Sequence, residues 1–183
     1  MKYEISFIQQ PRCGIAACES IYGPSLKGAL PIVPCPVVNV IFKSDDSKII
    51  EVDEEKAQSL VCTVLLHSCD TNGSRLEEAN HLSAMFSPSS HCILDDRTNP
   101  LDSLCCFPFG SIMVRRVGTY RLEVKLYRLS DLETIMASTI SEPFIITEQD
   151  QFPLHGVEIS TPLSLRLKTE HGVDIWLPAN RRK

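Results

Sequence analysis

The chain has 183 residues, enough for one domain that removes roughly 70% of its unfolded surface from water. Hydrophobic residues make up 43% and charged residues 22%, and no apolar run reaches the length of a bilayer-spanning helix, so a helical membrane span within these residues is excluded. The net charge of −5 and isoelectric point near 5.5 exclude a uniformly basic nucleic-acid binder and leave only a local basic face for that role.

The opening, MKYEISFIQQP, lacks the apolar block of a signal peptide. Tyr3, Ile5 and Phe7 alternate with Lys2, Glu4 and Ser6, the pattern of a half-buried strand. A turn-rich stretch follows with Pro11, Gly14, Gly23, Pro24, Gly28, Pro31, Pro34 and Pro36. Proline removes backbone donors, so this stretch is expected to be a long ordered loop rather than a sheet interior. Val37 to Phe42 and Leu60 to Leu66 are apolar, β-branched runs that predict strands.

From about 70 to 100 the chain is rich in Asp, Asn, Ser and Pro, with little periodicity. It reads as an irregular insertion with a short helical turn near Leu76 to Ala79. Strands are expected again at Leu104 to Phe107 and Ser111 to Arg115. The clearest strand is Gly118 to Leu129, where Tyr120, Leu122, Val124 and Leu126 share one face and Arg121, Glu123, Lys125 and Tyr127 the other. Met136 to Ile146 gives one or two more, broken by Pro143. Leu163 to Lys168 alternates like a strand, yet Thr161 as N-cap, Pro162 in the first turn and Gly172 at the far end favour a short helix there. Val173 to Leu177 then predicts a last strand, and residues 179–183 a basic tail. Many short strands with little helix predict a mainly β, antiparallel sandwich in one domain spanning 1–183, with one or two short helices.

The motifs of catalysis are missing. There is no glycine-rich phosphate loop and no Gly-x-Ser-x-Gly elbow. His67, His81, His91, His155 and His171 lack metal-ligand spacing, and Asp95 and Asp96 lack the alternate oxygen ligands of a calcium loop. Eight cysteines without a signal peptide read as buried or free thiols in a reducing compartment. Cys105 and Cys106 point apart if they lie in a strand, as do Cys62 and Cys69. Cys13 and Cys18 join a zinc site only with ligands from elsewhere. The reading is therefore no enzyme, no cofactor and no metal.

Several fragments resemble the velvet family of fungal regulators. They are QQPRCGIAAC from Gln9, PIVPCPVVNVIF from Pro31, FPFGSIMVRRVGTYRLEVKLYRL from Phe107, SEPFIIT from Ser141 and QFPLHGVEISTPLSLRLKTEHGVDIW from Gln151. Cys35 stands where the family usually has the middle of three prolines. The resemblance implies an immunoglobulin-like, Rel-like β-sandwich. It also implies a regulator of transcription in development, sporulation and secondary metabolism, found in nucleus and cytoplasm. Its implied partners are duplex DNA and a second velvet-type chain, as homodimer or heterodimer, with no membrane and no small-molecule substrate.

The family's DNA contacts fall in the loop after the Gln-Pro segment, which usually carries a dense run of Lys, Arg and Asp. Here that loop reads CESIYGPSLKGAL, with Lys27 its only base and Glu19 an acid. Arg12, just before it, and Lys27 are the first candidates for phosphate contact. Arg115 and Arg116 beside a strand end, and Arg181, Arg182 and Lys183 in the tail, are the others. Three readings stay open: a dimeric DNA-binding regulator, a velvet-fold interaction module whose partner supplies the cations, and a sandwich binding a small ligand.

Overall fold

The computed structural model describes residues 2–17, 30–50, 54–69, 104–152 and 158–177, together with the backbone of four short strands at 19–20, 23–24, 76–78 and 93–95. In chain order the elements are β1 (Lys2–Gln9), β2 (Cys13–Ile15), β3 (Glu19–Ser20), β4 (Gly23–Pro24), β5 (Leu30–Val33), β6 (Val37–Lys43) and helix α1 (Glu54–Gln58). They continue with β7 (Leu60–Cys69), β8 (Leu76–Glu78), β9 (Ile93–Asp95), β10 (Leu104–Pro108), β11 (Gly118–Arg128), β12 (Ala137–Ile140), β13 (Phe144–Thr147) and helix α2 (Pro162–His171).

Two sheets face each other. One runs β1-β6-β10-β9 and is antiparallel throughout. The other runs β5-β2-β13-β11-β7-β8, with β12 also on β11. Period-two alternation sends one side chain in two inward. Ile5, Val38, Val40, Phe42 and Phe107 from the first sheet thus meet Val64, Leu66, Tyr120, Leu122, Val124, Leu126 and Phe144 from the second in one buried cluster. That is the expected β-sandwich core.

Tyr120 near the start of β11 also donates its hydroxyl to the Arg116 carbonyl, 3.1 Å away and four residues upstream. The tyrosine corner of immunoglobulin-like sandwiches uses the same device.

The partner strand on one edge of β11 is split by chemistry. Ser141 donates its amide to Leu122 O at 2.8 Å, and its hydroxyl oxygen accepts the Leu122 amide at 2.9 Å. A side chain thereby closes the ladder where Pro143 can donate no hydrogen bond. Beyond this break β13 moves inward and pairs in parallel with β2.

A third layer covers the outer face of the first sheet. Cys35, Val37 and Cys106 pack there against Leu167 of α2 and Ile175 beyond it. Neighbouring Cys105 and Cys106 point to opposite faces as expected, Cys105 into the main core and Cys106 under the helix. The helix is set by its ends. Thr161 Oγ1 accepts the Ser164 amide at 3.0 Å, and Gly172 ends the helix in the left-handed region at φ 66°. Gln9 ties this layer to β1, donating to Cys35 O at 2.5 Å and Ser164 Oγ at 2.7 Å and accepting the Thr161 hydroxyl. Thr161→Ala removes the cap and that bond together, and an expected loss of about 1–2 kcal/mol is measurable by urea unfolding.

Five expectations are corrected. The proline-rich stretch is not simply a loop, because it supplies β2, in the interior of the larger sheet, and β5. Gly14 lets β13 and β5 close on β2, since a side-chain carbon there would lie 2.9 Å from Ile146 Cδ1. Leu76–Glu78 is a strand pairing with β7, not a helical turn. Ser111 to Arg115 forms no strand. It is tied by single bonds from the Ile32 amide to Ile112 O and from the Ala17 amide to Val114 O. Val173 to Leu177 is part of no sheet, its alternation serving to bury Ile175. Finally, Cys105 is disulfide-bonded rather than a thiol, whereas Cys13, Cys35, Cys62, Cys69 and Cys106 form no disulfide.

Candidate nucleic-acid interface

The candidate cations divide into two places. Arg12 precedes β2, its backbone fixed by its amide to Val33 O and by its carbonyl accepting from Ile145. Its guanidinium is half exposed and donates to the Glu142 carboxylate at 2.7 Å. Glu142 is delivered by the Ser141–Pro143 break, and its own amide donates to Gln10 Oε1 at 2.9 Å. Arg12 also shares a cleft of about 550 Å³ with Glu158, Gln9, Gln10 and Thr161. Glu142 pairs with the one arginine and Glu158 lines the same cleft, which lowers the positive field that a phosphate would need.

Arg115 and Arg116 stand elsewhere. Both are exposed in the segment between β10 and β11. The bond from the Ala17 amide to Val114 O sets them close to Ala17, where the 18–29 segment begins, and the Tyr120 hydroxyl fixes the Arg116 carbonyl. Arg12 lies at the opposite end of β2, about 16 Å from Ala17 at strand rise. The structure therefore brings Arg115 and Arg116 close to Ala17 and leaves Arg12 apart from them. Lys27, Arg181, Arg182 and Lys183 lie outside the described residues, as do Cys18, Asp96 and three of the histidines, His81, His91 and His155.

Other chemistry has little support among the described residues. No group of three or more His, Cys, Asp or Glu side chains converges there as a metal site. Burial lifts the Cys13 thiol to about 11 and the Cys35 and Cys62 thiols to about 12, so none is a thiolate at neutral pH. His67 and Glu123 meet at 2.9 Å across β7 and β11, with Lys125 at 3.5 Å from the same carboxylate. The first is a diagonal pair between neighbouring strands and the second a pair along β11, both on the outer face of the larger sheet. Sequence reasoning missed Glu142 and Glu158, because each reaches the Arg12 region from more than a hundred residues away. The Gln9-Gln10-Pro11 run gave the only advance signal there.

The fold and this site define a β-sandwich with a helix-covered outer face, carrying paired arginines beside an N-terminal loop and no assembled catalytic group among the described residues. The sequence pattern of the family described as Velvet factor matches residues 83–179, just over half of the chain. The chain belongs to that family, whose members are regulators rather than enzymes. It is similar to a protein of Chaetomium globosum named as a velvet complex subunit, with 40% identity over 79 residues that cover 42% of this chain and 17% of the relative. It is also similar to "Sexual development regulator velC" of Emericella nidulans, with 35% identity over 79 residues that cover 40% of this chain and 15% of the relative. The chain thus matches less than a fifth of the length of these curated relatives. Gln9 to Cys18 and Pro31 to Phe42, which carried part of the resemblance, lie outside the family match.

Proposed function

We propose that this chain is a velvet-type transcription regulator of fungal development that pairs with another velvet-type chain and contacts duplex DNA through Arg115, Arg116 and the 18–29 loop. The observation carrying this reading is the Ala17–Val114 hydrogen bond, which holds the two exposed arginines at the root of the loop where the family resemblance puts DNA contact. The relatives' names support it, one naming a velvet complex and the other a regulator of sexual development. Sporulation, secondary metabolism and a place in nucleus and cytoplasm go with this reading.

A second reading has its own support. Arg12 is held by Glu142, and Lys27 is the only base in the loop. With so few cations, the chain would act as an interaction module and a partner would supply the phosphate contacts. A band-shift comparison separates the two. Arg115→Ala/Arg116→Ala is expected to weaken DNA binding by roughly one or two phosphate contacts and to flatten its salt dependence by about one to two units of slope. Arg12→Ala is expected to change it little. An unchanged shift in the double variant would move the DNA role to the partner chain.

A further inference from the structure

The cleft around Arg12 has a chemistry that the DNA reading leaves unused. Its floor is saturated, because both ends of the Gln9 amide are bonded to Cys35, Ser164 and Thr161. That floor is fixed and offers no unspent polar atom of its own. The rim differs. Among the described residues, Glu158 has no hydrogen-bond or ion-pair partner, and the Gln10 amide nitrogen is likewise unpartnered while its oxygen is held by the Glu142 amide. Arg12 spends one guanidinium nitrogen on Glu142. Ile8 and Pro34 supply apolar walls.

The site therefore has one unspent carboxylate, one unspent amide donor and an apolar wall. Counting Glu142, the charges are two negative against one positive, which disfavours an anion and favours a cation. We infer that the cleft takes the arginine side chain of a partner polypeptide, with the guanidinium on Glu158, the aliphatic stem along Ile8 and Pro34, and a flanking peptide carbonyl accepting from Gln10. A guanidinium matches a carboxylate in two parallel bonds while its stem covers apolar surface. Donors and acceptors on one rim suit a peptide, which carries both, better than a sugar phosphate, which would bring only negative charge to Glu158. The inference is independent of whether this chain touches DNA.

The test is a proton–nitrogen correlation titration of the full, isotope-labelled chain with N-acetyl-arginine amide, N-acetyl-glutamate amide and N-acetyl-norleucine amide. The arginine probe is expected to give saturable, weak shifts in the Gln10 side-chain amide and the Thr161 backbone amide, and the other two probes none. Glu158→Gln, a change at an exposed residue, is expected to weaken the arginine probe by about fivefold or more while leaving the spectrum of the free protein otherwise intact. Equal or tighter binding of the glutamate probe, undiminished arginine binding by Glu158→Gln, or no saturable shift with any probe would each overturn the inference.

Discussion

Leu122→Ala is expected to cost about 2–5 kcal/mol, and Tyr120→Ala about 3–5 kcal/mol, both read from urea or thermal unfolding. Leu122 has no exposed surface and belongs to the inter-sheet cluster. Its backbone is clamped on one edge by both hydrogen-bonding groups of Ser141, so the neighbouring strand resists collapse into a cavity. Tyr120 adds a second loss, because its truncation also orphans the Arg116 carbonyl and removes the ring packed against Phe144 at 6.2 Å. Tyr120→Phe isolates the hydroxyl and is expected to cost about 1 kcal/mol. Because Tyr120 holds the turn that carries Arg115 and Arg116, Tyr120→Phe also bears on the candidate interface. Neutral behaviour of both alanine variants would mean that β11 presents its other face to the core.

Gly110→Ala is the second large effect, expected at about 3 kcal/mol, the upper end of the range for overpacking. A side-chain carbon at Gly110 would lie 2.1 Å from the Asp174 carbonyl oxygen and 3.1 Å from its carbon. Backbone atoms cannot rotate away as a side-chain tip can, so the 173–177 segment must move. That segment is anchored by Ile175 in the second cluster and by the Lys168 ammonium, which donates to Ile175 O at 2.5 Å. Moving it uncovers Cys106 and Val37 on the outer sheet face. Gly172→Ala is the useful contrast. Nothing lies within 4 Å of the added carbon there, and only the left-handed backbone at φ 66° opposes it, for an expected cost of about 1 kcal/mol. A thermal melt ranking the two in the opposite order would contradict this account of the third layer.

The legible parts of the fold were those whose signal is local. β11 announces itself because four apolar side chains alternate with four polar ones. Helix α2 announces itself because Thr161, Pro162 and Gly172 each satisfy a requirement of a helix end. The parts that were misread depend on neighbours far off in sequence. β2 is three residues long within a proline-rich run, and it becomes a strand because β13 and β5 complete its hydrogen bonds from both sides. Val173 to Leu177 has the alternation of a strand and buries the expected side chain. Alternation reports burial, however, and not backbone pairing, and here the segment lies over a sheet face. Pro31 within β5 fits the rule that proline is tolerated near sheet edges, and β5 is at the edge of its sheet.

The candidate site was legible as residue types and not as an arrangement. The sequence shows an arginine at 12 and a pair at 115 and 116, and it groups them as one set of cations. The geometry separates them, because the Ala17–Val114 bond draws the pair to Ala17 while the Ser141–Pro143 break brings Glu142 onto Arg12. The family resemblance was correct over the matched region and anticipated the sandwich. The acidic surroundings of Arg12 follow from contacts that no local pattern encodes.

The most direct test of the central claim is a fluorescence-anisotropy titration of the purified chain with mixed-sequence duplex DNA at two salt concentrations. Direct contact through a small set of cations predicts binding that weakens with salt at a slope of about −0.9 per phosphate neutralised. The absence of binding by a sample that unfolds cooperatively, or binding indifferent to salt, would contradict that claim and leave DNA contact to a partner chain.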